Sequence, residues 1–158
     1  MAALARDGRD KVTLLTSPAL NSFGLWVEQL LAESTGKEGT GLVPVAGEPL
    51  ASAAAYGADR AFVALRLKGD RNAALDRSVT ALQRAGHPVF HLTLTDRYDV
   101  GGEFFRWEFA TAIAGHVLGI HPFDQPNVQE SKDNTSRVLK EVETQGRLPS
   151  LPELTPKQ

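Results

Sequence analysis

Hydrophobic and polar positions along the chain switch repeatedly between the period of a strand and that of a helix. Lys11-Val12-Thr13-Leu14-Leu15-Thr16 is a short β-rich run that stops at Ser17-Pro18, as a strand does. Next, Phe23, Trp26, Val27, Leu30 and Leu31 recur at i, i+3, i+4, i+7 and i+8, the spacing of one buried helical face. Asn21 or Ser22 is placed to cap the start of this helix. Gly36, just past its last periodic residue, is placed to take a left-handed C-terminal cap. Gly39-Thr40-Gly41 then turns the chain into a second strand, Leu42-Val43-Pro44-Val45, whose proline predicts a sheet edge or a strand end. Ala51 to Ala55 is read as a short helix.

The alternation continues. Ala61 to Leu67 predicts a third strand, Asp70 to Ala85 a helix capped by Asp70, and Val89 to Leu94 a fourth strand after the turn Gly86-His87-Pro88. Strands alternating with helices predict an α/β fold: a three-layer sandwich with a mostly parallel sheet flanked by helices, whose ligands bind beyond the carboxyl ends of the strands. Gly101 to Ile120 carries Phe104, Phe105, Trp107, Phe109, Ile113, Val117 and Leu118 with small residues between, so it reads as a central helix covered on most sides. A last helix follows, with Asp124 or Gln125 as its cap and Pro126 in its first turn, where a missing N–H costs nothing. Val128, Thr135, Leu139 and Val142 share one face of it, and Lys132 falls on the same stripe, predicting a lysine pointed inward. Residues 1–146 read as a single α/β domain and 147–158 as a proline-rich tail, which cannot form a regular element.

Composition narrows the function classes. The 158 residues contain no cysteine, which excludes thiol catalysis, disulfide staples and cysteine metal sites. Seventeen basic against nineteen acidic residues leave a formal net charge of -2, with no basic excess to track a phosphate backbone, so nucleic acid is not an expected partner. No apolar run approaches the roughly 18 to 20 residues of a membrane span, and the first eight residues lack the apolar core of a secretion signal. The chain therefore reads as soluble and cytoplasmic. His116 and His121 are not at metal-ligand spacing with each other or with carboxylates, so they read as structural, and no metal or cofactor is implied.

Two glutamates on the first long helix read differently. Glu28 projects away from the apolar stripe and is most simply a solvated charge. Glu33 lies at the edge of the stripe in the last turn, where the negative end of the helix dipole disfavours the anion and should push its pKa upward, a setting for a base. Lys37 nearby opposes that shift. Because Glu33 ends a helix rather than a strand, the general rule for parallel sheets does not by itself place it in a ligand crevice. Gly36 to Gly41 lacks the phosphate-loop pattern and reads as a cap and a turn.

Two segments together carry a family resemblance. Phe23-Gly24-Leu25-Trp26-Val27-Glu28-Gln29-Leu30-Leu31-Ala32-Glu33-Ser34-Thr35-Gly36-Lys37 and Gly119-Ile120-His121-Pro122-Phe123-Asp124-Gln125-Pro126-Asn127-Val128-Gln129-Glu130-Ser131-Lys132 resemble phosphoglucose isomerase (glucose-6-phosphate isomerase). The first resembles that family's glutamate-serine-x-glycine-lysine segment. The second resembles its phenylalanine-aspartate-glutamine stretch, followed seven positions after the glutamine by a lysine. The wording is closest to the isomerase part of transaldolase/phosphoglucose isomerase fusions. The resemblance implies a sugar-isomerase-domain fold corresponding to the second of the family's two subdomains. It implies Glu33 as the base that moves a proton between adjacent carbons through an enediol. Lys132 would assist ring opening and proton transfer at the sugar oxygens, and Gln125 would be a polar contact to substrate. The implied partners are a sugar phosphate, the missing first sugar-isomerase subdomain and a transaldolase domain, with a homodimer among the assemblies the family forms. The family's phosphate-gripping loops and its arginine have no counterpart here, so the chain is expected to be incomplete alone. Neither His87 nor His91, which lie between the segments, sits in a motif that identifies it as the ring-opening histidine. A non-catalytic sugar-phosphate-binding or regulatory module is the alternative reading, and an assembly domain whose apolar faces meet the missing half is a third.

Overall fold

The computed structural model describes residues 1–124 and 126–148. Gln125, and nearly all of the predicted proline-rich tail, lie outside the described residues. The chain forms two compact units, Met1–Pro122 and the residues from Phe123 on. The first unit runs α1 (Ala2–Arg6), β1 (Lys11–Thr16), α2 (Asn21–Thr35), β2 (Val43–Ala46), β3 (Arg60–Leu67), α3 (Ala73–Arg84), β4 (Val89–Leu94) and α4 (Val100–Leu118). The second holds α5 (Pro126–Gln145), which opens on the expected proline.

The four strands are all parallel, in the order β2-β1-β3-β4. From β1 the chain crosses outward to β2, and from β3 it crosses in the opposite direction to β4. Right-handed crossovers in opposite directions put their helices on opposite faces of a sheet. Accordingly α2 packs on β1 and β2 and against α4, whereas α3 packs on β4. This is the predicted three-layer α/β sandwich, and Pro44 lies in an edge strand, where its missing N–H interrupts no central ladder.

Alternation along the central strands divides the core in two. Val12, Leu14, Val63 and Leu65 face the α2–α4 layer with Phe23, Val27, Leu31 and Trp107. Leu15, Phe62 and Ala64 face α3 through Leu75, Val79 and Leu82.

Several local expectations are corrected. The five-residue α1 was not foreseen, being too short to show a period. A 3₁₀ turn over Pro18–Leu20 leads directly into α2, so neither Asn21 nor Ser22 caps it; Asn21 Oδ1 instead accepts from Thr16 Oγ1 at 2.7 Å. The segment at Ala53–Ala55 is one 3₁₀ turn. Asp70 does not cap α3, which starts behind Asn72. Its carboxylate accepts from the amides of Ala19 (2.9 Å) and Arg71 (2.7 Å), which hold it below the usual carboxylate pKa. Within the first unit α4 is buried through Glu103, Trp107, Thr111, Ala114 and Gly115 rather than on most sides, and Phe105 and Phe109 are 71% and 60% exposed.

Candidate functional site

α2 runs antiparallel to the strands, so its carboxyl end, carrying the first motif, arrives at the amino edge of the sheet. Thr35 fixes that end. Fully buried, it donates its hydroxyl to Leu31 O (2.7 Å) and accepts from Leu42 N (2.9 Å), joining the last helical turn to the residue before β2.

Gly36 does not take the left-handed cap; its φ and ψ are -74° and 73°. A glycine is needed there for space, because a Cβ would lie 2.8 Å from Ala32 O. The reversal is made one step later, by Glu38 and Gly39 with φ of 54° and 75°. Lys37 and Thr40 close this turn through paired backbone hydrogen bonds of 3.1 and 2.9 Å. Two central residues at positive φ give it the twist of a hairpin turn.

Glu33 is exposed, and its Oε2 accepts from Gln29 Nε2 at 2.9 Å, one helical turn earlier. The carboxylate is open to an incoming ligand. Glu28 is the glutamate tied into the fold, contrary to its reading as a solvated charge: its Oε2 accepts from Ala46 N at 2.8 Å and pins the end of β2.

The contact that sequence reasoning missed is made by Lys37. It is 6% exposed, and its Nζ donates to His121 O at 2.8 Å. That carbonyl belongs to the opening of the second motif. The loop carrying it is shaped by Gly119, at φ 76°, and by Ile120 N donating to Gly115 O at 3.0 Å. Pro122 closes onto α4 at Gly115, where a Cβ would come within 2.6 Å of Cδ in the proline ring. The structure thus joins the first motif to residues 119–122 of the second, 84 positions apart between Lys37 and His121. The lysine's place in both the glycine-flanked turn and the family segment was the available signal; its acceptor was not readable from pattern.

Of the other predicted site residues, Lys132 lies on α5, in the second unit, and is exposed. Of the stripe expected to face inward, Val128 and Val142 are half-buried and Thr135 and Leu139 are exposed. Gln125 lies outside the described residues.

Beside the turn, a cavity of about 730 Å³ opens among Gly36, Gly41, Lys11, Asp59, His116 and Gly119. Glu33 does not line it. Lys11 is bound by Asp10 and Asp59, each at 2.9 Å. These hydrogen bonds hold the lysine pKa up and, for Asp59, the carboxylate pKa down. The cavity wall is therefore charge-compensated and offers no net cation for an anion.

His87 and His91 are engaged in the opposite layer. His87 Nε2 lies 3.2 Å from Ala53 O and its ring meets Phe62 edge-on. His91 Nδ1 is 2.9 Å from an Arg66 guanidinium nitrogen, and Nε2 is 3.1 Å from the Gln83 side-chain amide. Arginine only donates, so Nδ1 is the acceptor of that contact. Both rings sit on the α3 side of the sheet, away from Glu33.

No family model matches the chain. It is similar to the glucose-6-phosphate isomerase of Symbiobacterium thermophilum (30% identity over 87% of this chain and 39% of the relative). A second such relative, of Lactobacillus helveticus, is 29% identical over 77% of this chain and 35% of its own length. A third, of Enterococcus faecalis, is 25% identical over 86% and 38%. These relatives bear out the resemblance carried by the two motifs, and the chain spans less than two-fifths of their length. The fold is shared with the crystal structure of a hypothetical protein from Thermus thermophilus, with a TM-score of 0.71 over 87% of this chain and 44% of that one, at 23% identity. Among the described residues no helix is long and apolar enough to cross a membrane.

Proposed function

We propose that this chain, similar to glucose-6-phosphate isomerases over little more than a third of their length, is the second sugar-isomerase subdomain of such an enzyme. The observation that carries the reading is the Lys37–His121 hydrogen bond, which ties the segment bearing Glu33 to the start of the segment bearing Gln125 and Lys132. The first motif is thereby joined to the opening residues of the second, within the first unit.

In this reading the substrate is glucose 6-phosphate or fructose 6-phosphate in cytoplasmic carbohydrate metabolism. The Glu33 carboxylate removes the proton from C2 of the ring-opened aldose as O1 takes up a proton, leaving an enediol. It returns the proton to C1 as O2 gives up its own, with Lys132 assisting the proton transfers at the oxygens, to give the ketose. The reverse direction uses the same two transfers. One exposed carboxylate suffices because both carbons are adjacent. Lys132 serves the sugar oxygens during ring opening, and Gln125 contacts the substrate. The phosphate grip comes from polypeptide outside this chain. The wording of the motifs supports an origin in a transaldolase fusion.

The test is conversion of fructose 6-phosphate to glucose 6-phosphate by this chain co-expressed with the remaining segments of the Symbiobacterium thermophilum relative. Glu33→Gln should abolish turnover with the circular dichroism spectrum unchanged. Full activity in the variant refutes the base assignment, and robust turnover by the chain alone refutes its incompleteness. A chain that binds the sugar phosphate in the pair without converting it is the non-catalytic module instead.

A further inference from the structure

We propose that Lys37 is a positioning residue for the isomerisation. Through the carbonyl of His121 it sets where the second motif departs relative to the helix end that carries Glu33, and it does so without reaching the sugar. This role rests on the reading of the chain as an isomerase subdomain, and it belongs to a residue to which neither the carboxylate chemistry nor the substrate contacts assign one.

The lysine is fixed at both ends. On the side of its own backbone, buried Thr35 bridges Leu31 O and Leu42 N, and the Lys37 amide and carbonyl pair with Thr40 across the turn. The stem between is 6% exposed, and Nζ donates to His121 O at 2.8 Å. On the far side the carbonyl sits in a loop with little freedom. Gly119 turns it at φ 76°, Ile120 N closes it onto Gly115 O, and Pro122 lies against Gly115. A hydrogen bond between two anchored groups fixes a separation instead of following one.

Cohesion alone does not call for a lysine here. Taking an ammonium out of water is costly, and an apolar side chain of similar volume packs as well or better. What the ammonium adds is a charge-assisted hydrogen bond, short and directed at one acceptor. Glu33 stands four positions before Lys37, in the last turn of α2, so whatever fixes this helix end fixes the base. A proton moved between adjacent carbons needs the carboxylate within hydrogen-bond reach of both. A misplacement of about 1 Å, even from a change remote from the chemistry, can lower the rate by about 100-fold.

The experiment co-expresses the chain with the remaining segments of the Symbiobacterium thermophilum relative. It measures kcat per folded pair and KM for glucose 6-phosphate well below the melting temperature, with the folded fraction read by circular dichroism. Lys37→Met should lower kcat by about 100-fold and leave KM within about 3-fold of wild type, the signature of a group that acts in the transition state and not in binding. With glucose 6-phosphate deuterated at C2, the isotope effect on kcat should grow, because a misplaced carboxylate slows the proton transfer itself. Gly119→Ala, which strains the loop end of the link while keeping the lysine, should give a smaller loss of the same kind. The double variant should lose little more than Lys37→Met alone, since both act through one loop. Lys68→Met, which removes an exposed lysine at the carboxyl edge of the sheet, should change neither constant.

A lysine that only stabilises the fold would lower the melting temperature and leave kcat per folded pair and the isotope effect at their wild-type values; that result overturns the proposal. So do a raised KM with normal kcat, which would place Lys37 among the substrate contacts, and fully additive losses in the double variant. Should Lys37→Met not assemble, Gly119→Ala carries the test, and normal kcat in it is equally fatal. A wild-type pair that does not isomerise removes the proposed function and this role together. A wild-type pair that isomerises beside a fully active Lys37→Met removes the role of Lys37 and leaves the function standing.

Discussion

Substituting Lys37 tests whether the link between the two motif-bearing segments holds the corner together. Lys37→Met keeps the length of the stem and removes the ammonium, so the 2.8 Å hydrogen bond to His121 O is lost while the buried methylenes still pack. Replacing a buried ion by an apolar side chain is neutral when the partners are relieved with it. Here the carbonyl remains, in a loop held by Gly119 and by the Ile120–Gly115 bond, and it loses its charged donor. A hydrogen bond to a charged group contributes roughly 1.5–3 kcal/mol. At about 2–4 °C per kcal/mol for a domain of this size, melting should fall by about 3 to 12 °C. Thermal and urea unfolding measure the total, and amide hydrogen exchange locates it: Ile120 should exchange faster, while β1 and β3 should keep their protection relative to global unfolding. A variant as stable as wild type, with Ile120 exchange unchanged, would show that the lysine is a passenger and that the segments are held by packing alone.

Two further substitutions probe the fold around the site. Gly36→Ala would drive a Cβ to 2.8 Å from Ala32 O and should cost about 1–3 kcal/mol in urea unfolding; an unchanged midpoint would mean that the end of α2 shifts freely. Glu103, 5% exposed, has one carboxylate oxygen without a hydrogen-bond partner among the described residues. Burial pushes its pKa up against the opposing pull of Arg106. A carboxyl whose folded pKa is raised penalises the native state at pH above that pKa, and the penalty fades as pH falls through it towards the unfolded value. Glu103→Gln should therefore stabilise the protein at pH 8, and the gain should shrink towards pH 4; a difference independent of pH would contradict the desolvation argument.

The fold was legible because the elements that define it are strongly patterned. Val12 to Leu15 and Phe62 to Leu65 are nearly continuous apolar runs, as strands covered on both faces must be, and Pro44 marked the edge. What stayed hidden were contacts between segments distant in sequence. Asp70 looked like a helix cap because it stands near the start of α3, yet Ala19 competes for its carboxylate. Glu28 looked solvated because helical periodicity reports only the helix's own core face, and its acceptor role depends on where β2 ends. For α4 the many phenylalanines suggested cover on most sides, yet Phe105 and Phe109 are exposed, because aromatic content alone does not say how many of its faces a helix buries. Of the site, Glu33 and Lys37 were visible as a motif. The lysine's acceptor, 84 residues away, was not.

The position of that motif also bears on why one chain would hold only part of an active site. In a parallel sheet the open crevice lies beyond the carboxyl ends, where the strand order reverses, here between β1 and β3. In this protein the crevice is laced by side chains. Buried Ser17 donates to Asn72 Oδ1 (2.6 Å) and accepts from Leu67 N (2.7 Å), and Asn72 Nδ2 donates to Leu67 O (2.8 Å). The Glu33 corner lies at the other edge, against the carboxyl end of α2, where the helix dipole presents partial negative charge. A phosphate dianion is repelled by that field. The cavity beside the turn carries no net charge among its formally charged lining groups, because Arg6 and Lys11 are balanced by Asp10 and Asp59. A sugar phosphate whose carbons approach Glu33 must therefore have its phosphate held away from this corner by donors of another element. That separation is the division of labour expected if the proton-transfer group and the phosphate grip reside on different subdomains.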